Sequence, residues 1–250
     1  MMNSQPLVLE LFARKLHDMI DGALATQADA VRQAAEWAAE VVASDGILYT
    51  FGTGHSHCVA EEAVYRAGGL APVDAILEPS LTGNSEVVKS EFMERVEGVA
   101  RVILDYRRLT SRDLLFIISN SGRNAAPVEM ALEARARGVK TVAITSLDYS
   151  RSVSSRHSSG QKLYEVADLV IDNGGVFGDA CLHLPGLEQP VAPTSNIMAL
   201  FLLHSILAQT AQNLLNRGLE PPVFWSGNLD GARERNQALL DRYWGRIRLW

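Results

Sequence analysis

The sequence predicts an α/β fold in three layers: a parallel sheet flanked by helices on both faces, flavodoxin-like and doubly wound, with N-terminal helices ahead of it. Three observations lead there. Short apolar runs at Ile47–Phe51, Leu114–Ser119 and Val139–Thr145 recur between longer segments of helical periodicity. These runs are mostly apolar, as expected of strands buried on both faces. The runs at 47 and 114 each end in a polar, glycine-containing loop that leads straight into a helical segment, the repeated strand–loop–helix order of a parallel sheet.

The elements follow in order. Residues 7–43 read as two helices: Leu7, Leu11, Leu16, Met19 and Ile20 share one apolar stripe, and Val31, Ala34, Ala35, Ala38 and Val41 another. Asp45-Gly46 makes a turn into the first strand. A helix over His57–Arg66 is stopped by Gly68-Gly69. Val73–Leu77 is a second strand closed by Glu78-Pro79, Glu86–Glu97 a helix, and Val99–Leu104 a strand or a helix end. The strand Leu114–Ser119 feeds a helix Ala125–Arg137 that stops at Gly138. Strands Val139–Thr145 and Val166–Asp172 come next, then a long helix Thr194–Asn216 capped by Gly218. No internal repeat and no low-complexity linker interrupts this order, so the chain reads as one domain over 46–218. Residues 1–45 form an N-terminal helical extension and 219–250 a C-terminal appendage.

Composition narrows the function. The 250 residues are 47% hydrophobic and 21% charged, ordinary for a folded chain with a full core. A net charge of −6 argues against nucleic-acid or anionic-membrane partners. An anionic ligand must then be met by local dipoles and a few side chains. Cys58 and Cys181 stand far apart and form no metal or redox pattern, which fits a reducing, cytoplasmic setting. The N-terminus lacks the basic and apolar regions of a signal peptide. The longest apolar stretch, Ile197–Leu207, is broken by His204 and Ser205 and is too short to span a bilayer.

In open parallel sheets ligands bind beyond the carboxyl ends of the strands, where two polar loops fall. Ser119-Asn120-Ser121-Gly122-Arg123-Asn124 carries hydroxyls, amides and one glycine onto a helix start. Unpaired N–H groups and the positive dipole end there suit a phosphate. Gly122 lets the backbone come close. The plainer reading is a helix cap, which needs one such residue where the loop supplies several. The second loop, Gly52-Thr53-Gly54-His55-Ser56-His57, together with Glu78, suggests a dinucleotide fingerprint, but His57 occupies the place of its third glycine.

Taken with Ala192-Pro193-Thr194-Ser195-Asn196 ahead of the last long helix, these loops resemble the sugar isomerase (SIS) domain. The run Gly52–Cys58 is similar to that of phosphoheptose isomerases. The Gly-His-Ser-His loop, the Ala60–Pro72 stretch and the distal Pro221–Phe224 segment are closer still to a related SIS group without an assigned reaction. The resemblance implies a phosphosugar ligand, with phosphate contact by Ser119, Asn120, Ser121, Gly122 and Asn124. It places Ser56 on sugar hydroxyls and Thr194 and Ser195 over the pocket. It also implies a dimer or tetramer in which the N-terminal helices take part.

Aldose–ketose isomerisation through an enediol needs a base near neutral pKa and a group that shuttles hydroxyl protons. His204, inside the last long helix, resembles in position the catalytic histidine of phosphoheptose isomerase. The family glutamate falls at Arg66, with Glu62 one turn earlier on the same face. His204 and Glu62 are therefore the expected catalytic pair, and His55 and His57 flank Ser56 at the pocket mouth. Some relatives hold zinc. Here Glu62 and Arg66 replace the His/Glu spacing, and no metal or cofactor is expected. Two alternatives to an isomerase stay open: a phosphosugar etherase or lyase on the same fold, and a non-catalytic phosphosugar sensor.

Overall fold

The computed structural model describes residues 6–84 and 86–250. The chain opens with α1 (Val8–Ala43), β1 (Leu48–Gly52), α2 (Ser56–Glu62) and β2 (Val73–Ile76). Three helices follow, α3 (Pro79–Thr82), α4 (Val87–Met93) and α5 (Val99–Arg107), before β3 (Leu114–Ile118), α6 (Ala125–Ala136) and β4 (Lys140–Thr145). Beyond them lie α7 (Leu147–Ser152), α8 (Leu163–Val166), β5 (Leu169–Asp172), a β6 (Ala180–Leu182) and β7 (Val191–Pro193) pair, α9 (Ser195–Asn216) and α10 (Ala232–Tyr243).

Five strands form one sheet in the order β2-β1-β3-β4-β5, and every pairing in it is parallel. This is the flavodoxin-like doubly wound order. Strand side chains divide by parity, because successive residues point to opposite faces. Leu114, Phe116 and Ile118 pack with α1, α2 and α9 residues on one face, while Leu115 and Ile117 pack with α5 and α6 residues on the other. All five residues of β3 are buried, as the unbroken apolar run predicts.

Several expectations are corrected. Residues 7–43 contain one 36-residue helix rather than two. The lone glycine within it, Gly22, costs about 1 kcal/mol in helix propensity without breaking the hydrogen-bond ladder. Ala34, Ala35, Ala38 and Ala39 are fully buried and let α1 come close to α9, where the Thr210 hydroxyl reaches the Ala35 carbonyl. Val99–Leu104 is helical, because the buried Glu129 carboxylate of α6 caps α5 by accepting from the Gly98 and Ala100 N–H groups at 2.7 and 3.0 Å. The strand expected from Val166 begins only at Leu169. Val166 closes α8, whose start is held by the Glu165 carboxylate accepting from the Lys162 N–H at 2.7 Å.

Helix α9 matches the helix read over Thr194–Asn216 within one residue and contains the apolar stretch Ile197–Leu207. Its 22 residues have the length and composition of a membrane span. Met198, Leu202, Leu203, Ile206 and Leu214 are nevertheless spent on the core beside α1.

The C-terminal segment is packed as core rather than appended. Phe224, Tyr243 and Ile247 are buried in the same cluster as Phe51 and Leu104. Val223 bridges to Leu70 in antiparallel fashion, and the Asn236 side chain bonds both the N–H and the C=O of Trp225 at 2.9 Å. Asn236 is thereby fixed in the interior.

Candidate functional site

The strand order reverses between β1 and β3. The chain leaves β1 toward β2 on one side, and leaves β3 toward β4 on the other. The crevice beyond the carboxyl ends of such a pair is the usual ligand position in open α/β sheets. Gly52 and Ile118 are register partners, so the loops after β1 and β3 start side by side. They border an open cavity of about 270 Å³ lined by Thr53, Gly54, His55, Ser56, Ser119, Asn120, Ser121 and Asn124, with Glu94, Tyr149, Asp179, Ser195 and Asn196 from other segments.

The first loop is compact. A side chain at position 52 would stand 2.4 Å from the Ser56 carbonyl oxygen, so only glycine fits there. Gly54 has φ +52°, in the region that favours glycine, and its N–H is bound to Leu81. The turn brings Ser56 to the cavity edge at the start of α2. His57, expected to touch ligand, is buried and sits behind the loop. Its Nδ1 lies 2.5 Å from the Gly54 carbonyl oxygen, and its Nε2 lies 3.6 Å from the Cys58 Sγ. It braces the loop, and His55 lines the cavity instead.

The serine loop also divides. Ser119, Asn120, Ser121 and Asn124 line the cavity, and Asn124 makes no side-chain cap on α6 although it holds the N-cap position. Capping therefore does not account for these polar groups. Asn120 Oδ1 accepts from Asn173 at 3.1 Å, while its Nδ2 is buried with no partner among the described residues. Gly122 faces away from the cavity. It has φ +58°, and a Cβ there would meet Ser150, Thr145 and Leu163 at 3.1–3.2 Å. Its glycine serves the packing behind the loop. The Ser-rich stretch before Gly160 runs along the same loop, with Arg123 Nε on the Ser154 carbonyl at 2.8 Å and Arg156 Nη1 on Asn124 Oδ1 at 2.9 Å.

At the α9 start, Asp179 already fills the anion position. Its Oδ1 accepts from the Thr194 and Ser195 N–H groups at 3.1 and 2.8 Å, and its Oδ2 from the Ser195 hydroxyl at 2.8 Å. Asp179 pays for this with φ +72° in the left-handed region. Thr194 is fully buried and does not line the cavity, whereas Ser195 does.

Sequence reasoning missed Glu94. It caps the end of α4, and its carbonyl accepts from the Ala126 N–H at 2.9 Å, tying that end to the first turn of α6. The carboxylate joins both loops: Thr53 Oγ1 donates to Oε2 at 2.7 Å and Asn124 Nδ2 to Oε1 at 2.6 Å. Burial pushes its pKa up, and the Thr53 hydrogen bond with the Arg95 and Arg156 charges only partly counters that. The run of acids from Glu86 to Glu97 reads as solvated surface. One signal was present: Glu86 and Glu91 pair with Lys89 and Arg95 at helical spacing, while Glu94 has no cation three or four positions away.

The expected pair His204 and Glu62 lies elsewhere. Neither lines the cavity of its own chain. Glu62 forms an i,i+4 ion pair with Arg66 on the outer side of α2. His204 stands half-buried on α9, its pKa lowered by burial and by the Arg66 charge. No group of three or more His, Cys, Asp or Glu side chains among the described residues is placed to hold a metal ion.

Residues 11–146, more than half the chain, match the SIS domain. Over 240 residues the chain is 42% identical to a UPF0309 protein of Geobacillus thermodenitrificans, covering 96% of each. A UPF0309 protein of Halalkalibacterium halodurans shares 45% over 218 residues, 87% of this chain and 90% of the relative. Among solved structures, a phosphoheptose isomerase from Neisseria gonorrhoeae has TM-score 0.54 at 18% identity, over 82% of this chain and 100% of that one. The Vibrio vulnificus NanR protein complexed with ManNAc-6P has TM-score 0.53 at 13% identity, over 97% of this chain and 70% of that one. At such identities the structural likeness speaks for the fold, and with the sequence matches it places this chain in the SIS domain family, among the UPF0309 proteins.

Proposed function

We propose that the cavity binds a sugar phosphate, with the phosphate against the side chains of Ser119, Ser121 and Asn124 at the start of α6, and that the chain is an aldose–ketose isomerase working through an enediol. The observation that carries the reading is the gathering of hydroxyl and amide side chains on the cavity at the switch point, beside an α6 start that Asn124 does not cap with its side chain. The hydroxyl and amide donors and the helix dipole suit a phosphate, and the sugar extends toward Ser56 and His55. The NanR complex with ManNAc-6P supports the same ligand class on this fold.

His204 and Glu62 belong to the reading only as residues that act across an interface. Each lies outside the cavity of its own chain, so a neighbouring copy must bring them to it. Self-association as a dimer or tetramer is part of the proposal for that reason.

A thermal-shift panel of aldose and ketose phosphates tests the binding, and NMR of solvent deuterium incorporation tests the chemistry. The expected result is a raised Tm with at least one phosphosugar and deuterium at the carbon beside its carbonyl. Ser121→Ala is expected to weaken binding about 10- to 100-fold, the worth of one hydrogen bond to a charged group. No shift with any member of the panel and no effect of Ser121→Ala would sink the reading. Binding without exchange would leave the sensor.

A further inference from the structure

We propose that Glu94 is the acid–base residue of this site, the carboxyl that carries a proton between adjacent carbons of the bound sugar. The proposal rests on the phosphosugar reading above and names a residue for its chemistry.

Glu94 is the one glutamate among the described residues that line the cavity. Its position is set from three directions. The α4 end fixes its backbone through the Glu94 N–H bond to Ser90 at 3.0 Å, Ala126 holds its carbonyl, and Thr53 and Asn124 hold one carboxylate oxygen each. Thr53 belongs to the sugar loop and Asn124 to the phosphate loop, so the carboxyl stands at their junction. Among the described residues each oxygen accepts one bond, which leaves lone-pair directions open for a substrate proton. Burial disfavours the charged form and moves the group toward the range useful for proton transfer near neutrality. The other carboxylate at the cavity, Asp179, accepts three bonds from the start of α9 and is committed there.

The step balances without another reactant. The Glu94 carboxylate takes the proton from the carbon beside the carbonyl, the C–H electron pair becomes the C=C bond, and the carbonyl oxygen takes up the negative charge. The hydroxyl proton of the first carbon passes to that oxygen. The protonated Glu94 then returns a proton to the former carbonyl carbon, which gives the isomer.

The experiment measures deuterium incorporation and Tm shift side by side, on the full chain, with whichever sugar phosphate stabilises the wild type. Glu94→Gln keeps the shape and an acceptor for Asn124. It should bind that sugar within a few-fold of wild type and lose exchange roughly 100- to 10,000-fold. Glu94→Asp should recover part of the rate, since it restores a base one methylene short. In wild type the exchange rate should rise with pH through a limb above the ordinary carboxylate range, and that limb should be absent in Glu94→Gln. Exchange by Glu94→Gln within a few-fold of wild type overturns the proposal. Loss of binding together with exchange also overturns it, since Glu94 would then be a ligand contact or a scaffold. If the wild type binds no sugar phosphate, or binds without exchange, the phosphosugar isomerase reading itself has failed and the role falls with it.

Discussion

Gly122 and Glu94 stand on opposite sides of the same loop, and they separate what a residue does for shape from what it does for chemistry. Gly122 has a left-handed backbone and neighbours at 3.1–3.2 Å from where a Cβ would be. Gly122→Ala should cost about 1–2 kcal/mol for the backbone conformation and about 1–3 kcal/mol more for overpacking, read as a lowered denaturant midpoint. Glu94 is the reverse case. Its folded pKa is raised by burial, so its contribution to stability is present in full below the unfolded value and is lost as pH rises through the folded one. Glu94→Gln should therefore raise Tm, and by more at about pH 8 than at about pH 3, where both states hold the proton. A variant that gains stability while losing proton transfer is the pattern expected of a functional buried charge. A lower Tm at about pH 8 would mean that the Thr53 and Asn124 bonds outweigh burial.

At the scale of elements, the contact between α1 and α9 decides how closely the layers stack. Four alanines of α1 are fully buried, and Thr210 bonds across to Ala35. Ala38→Leu has no space to occupy and should destabilise by about 1–3 kcal/mol, measurable in urea. The two stripes of α1 were legible in the sequence, but their continuity was not, because a 3.6-residue pattern does not state whether Gly22 breaks a helix. The α5 start was hidden for a related reason. Its cap comes from Glu129, some thirty positions away in the chain, and no local pattern contains it. The strand-to-helix junctions after β1 and β3 were legible, since a buried run, a glycine and a helix start are all local.

Across the whole molecule, the C-terminal segment shows how far tertiary packing departs from a reading by segments. Residues 219–250 read as an appendage because they follow the last long helix of the strand–loop–helix order. Yet Phe224, Tyr243 and Ile247 fill the second core cluster, and the Arg248 N–H reaches Asp74 at 3.3 Å. Asp74 is fully buried, held also by Arg107 at 3.1 Å. Removing the segment after Glu220 should expose that face and unfold or aggregate the chain, seen as loss of a cooperative thermal transition. The Tyr243 hydroxyl is buried without a partner among the described residues. Tyr243→Phe should then stabilise by about 1 kcal/mol, the low end of the penalty for an unpaired buried group, whereas Tyr243→Ala should cost on the order of 3–5 kcal/mol as other large aromatics do.

By itself the sequence determined the sheet, its parallel winding, and the two loops that meet at its switch point. Those features depend on hydrophobic period and on glycine and serine placed within a few residues of a strand end. The tertiary structure alone decided which of the named residues face the cavity. It turned Gly122, His57 and Thr194 into packing and bracing groups, left His204 and Glu62 outside the cavity, and brought Glu94 into it. The physical reason is that a side chain's role is set by what surrounds it. For Glu94 those surroundings come from Thr53 and Asn124, 41 and 30 positions distant along the chain.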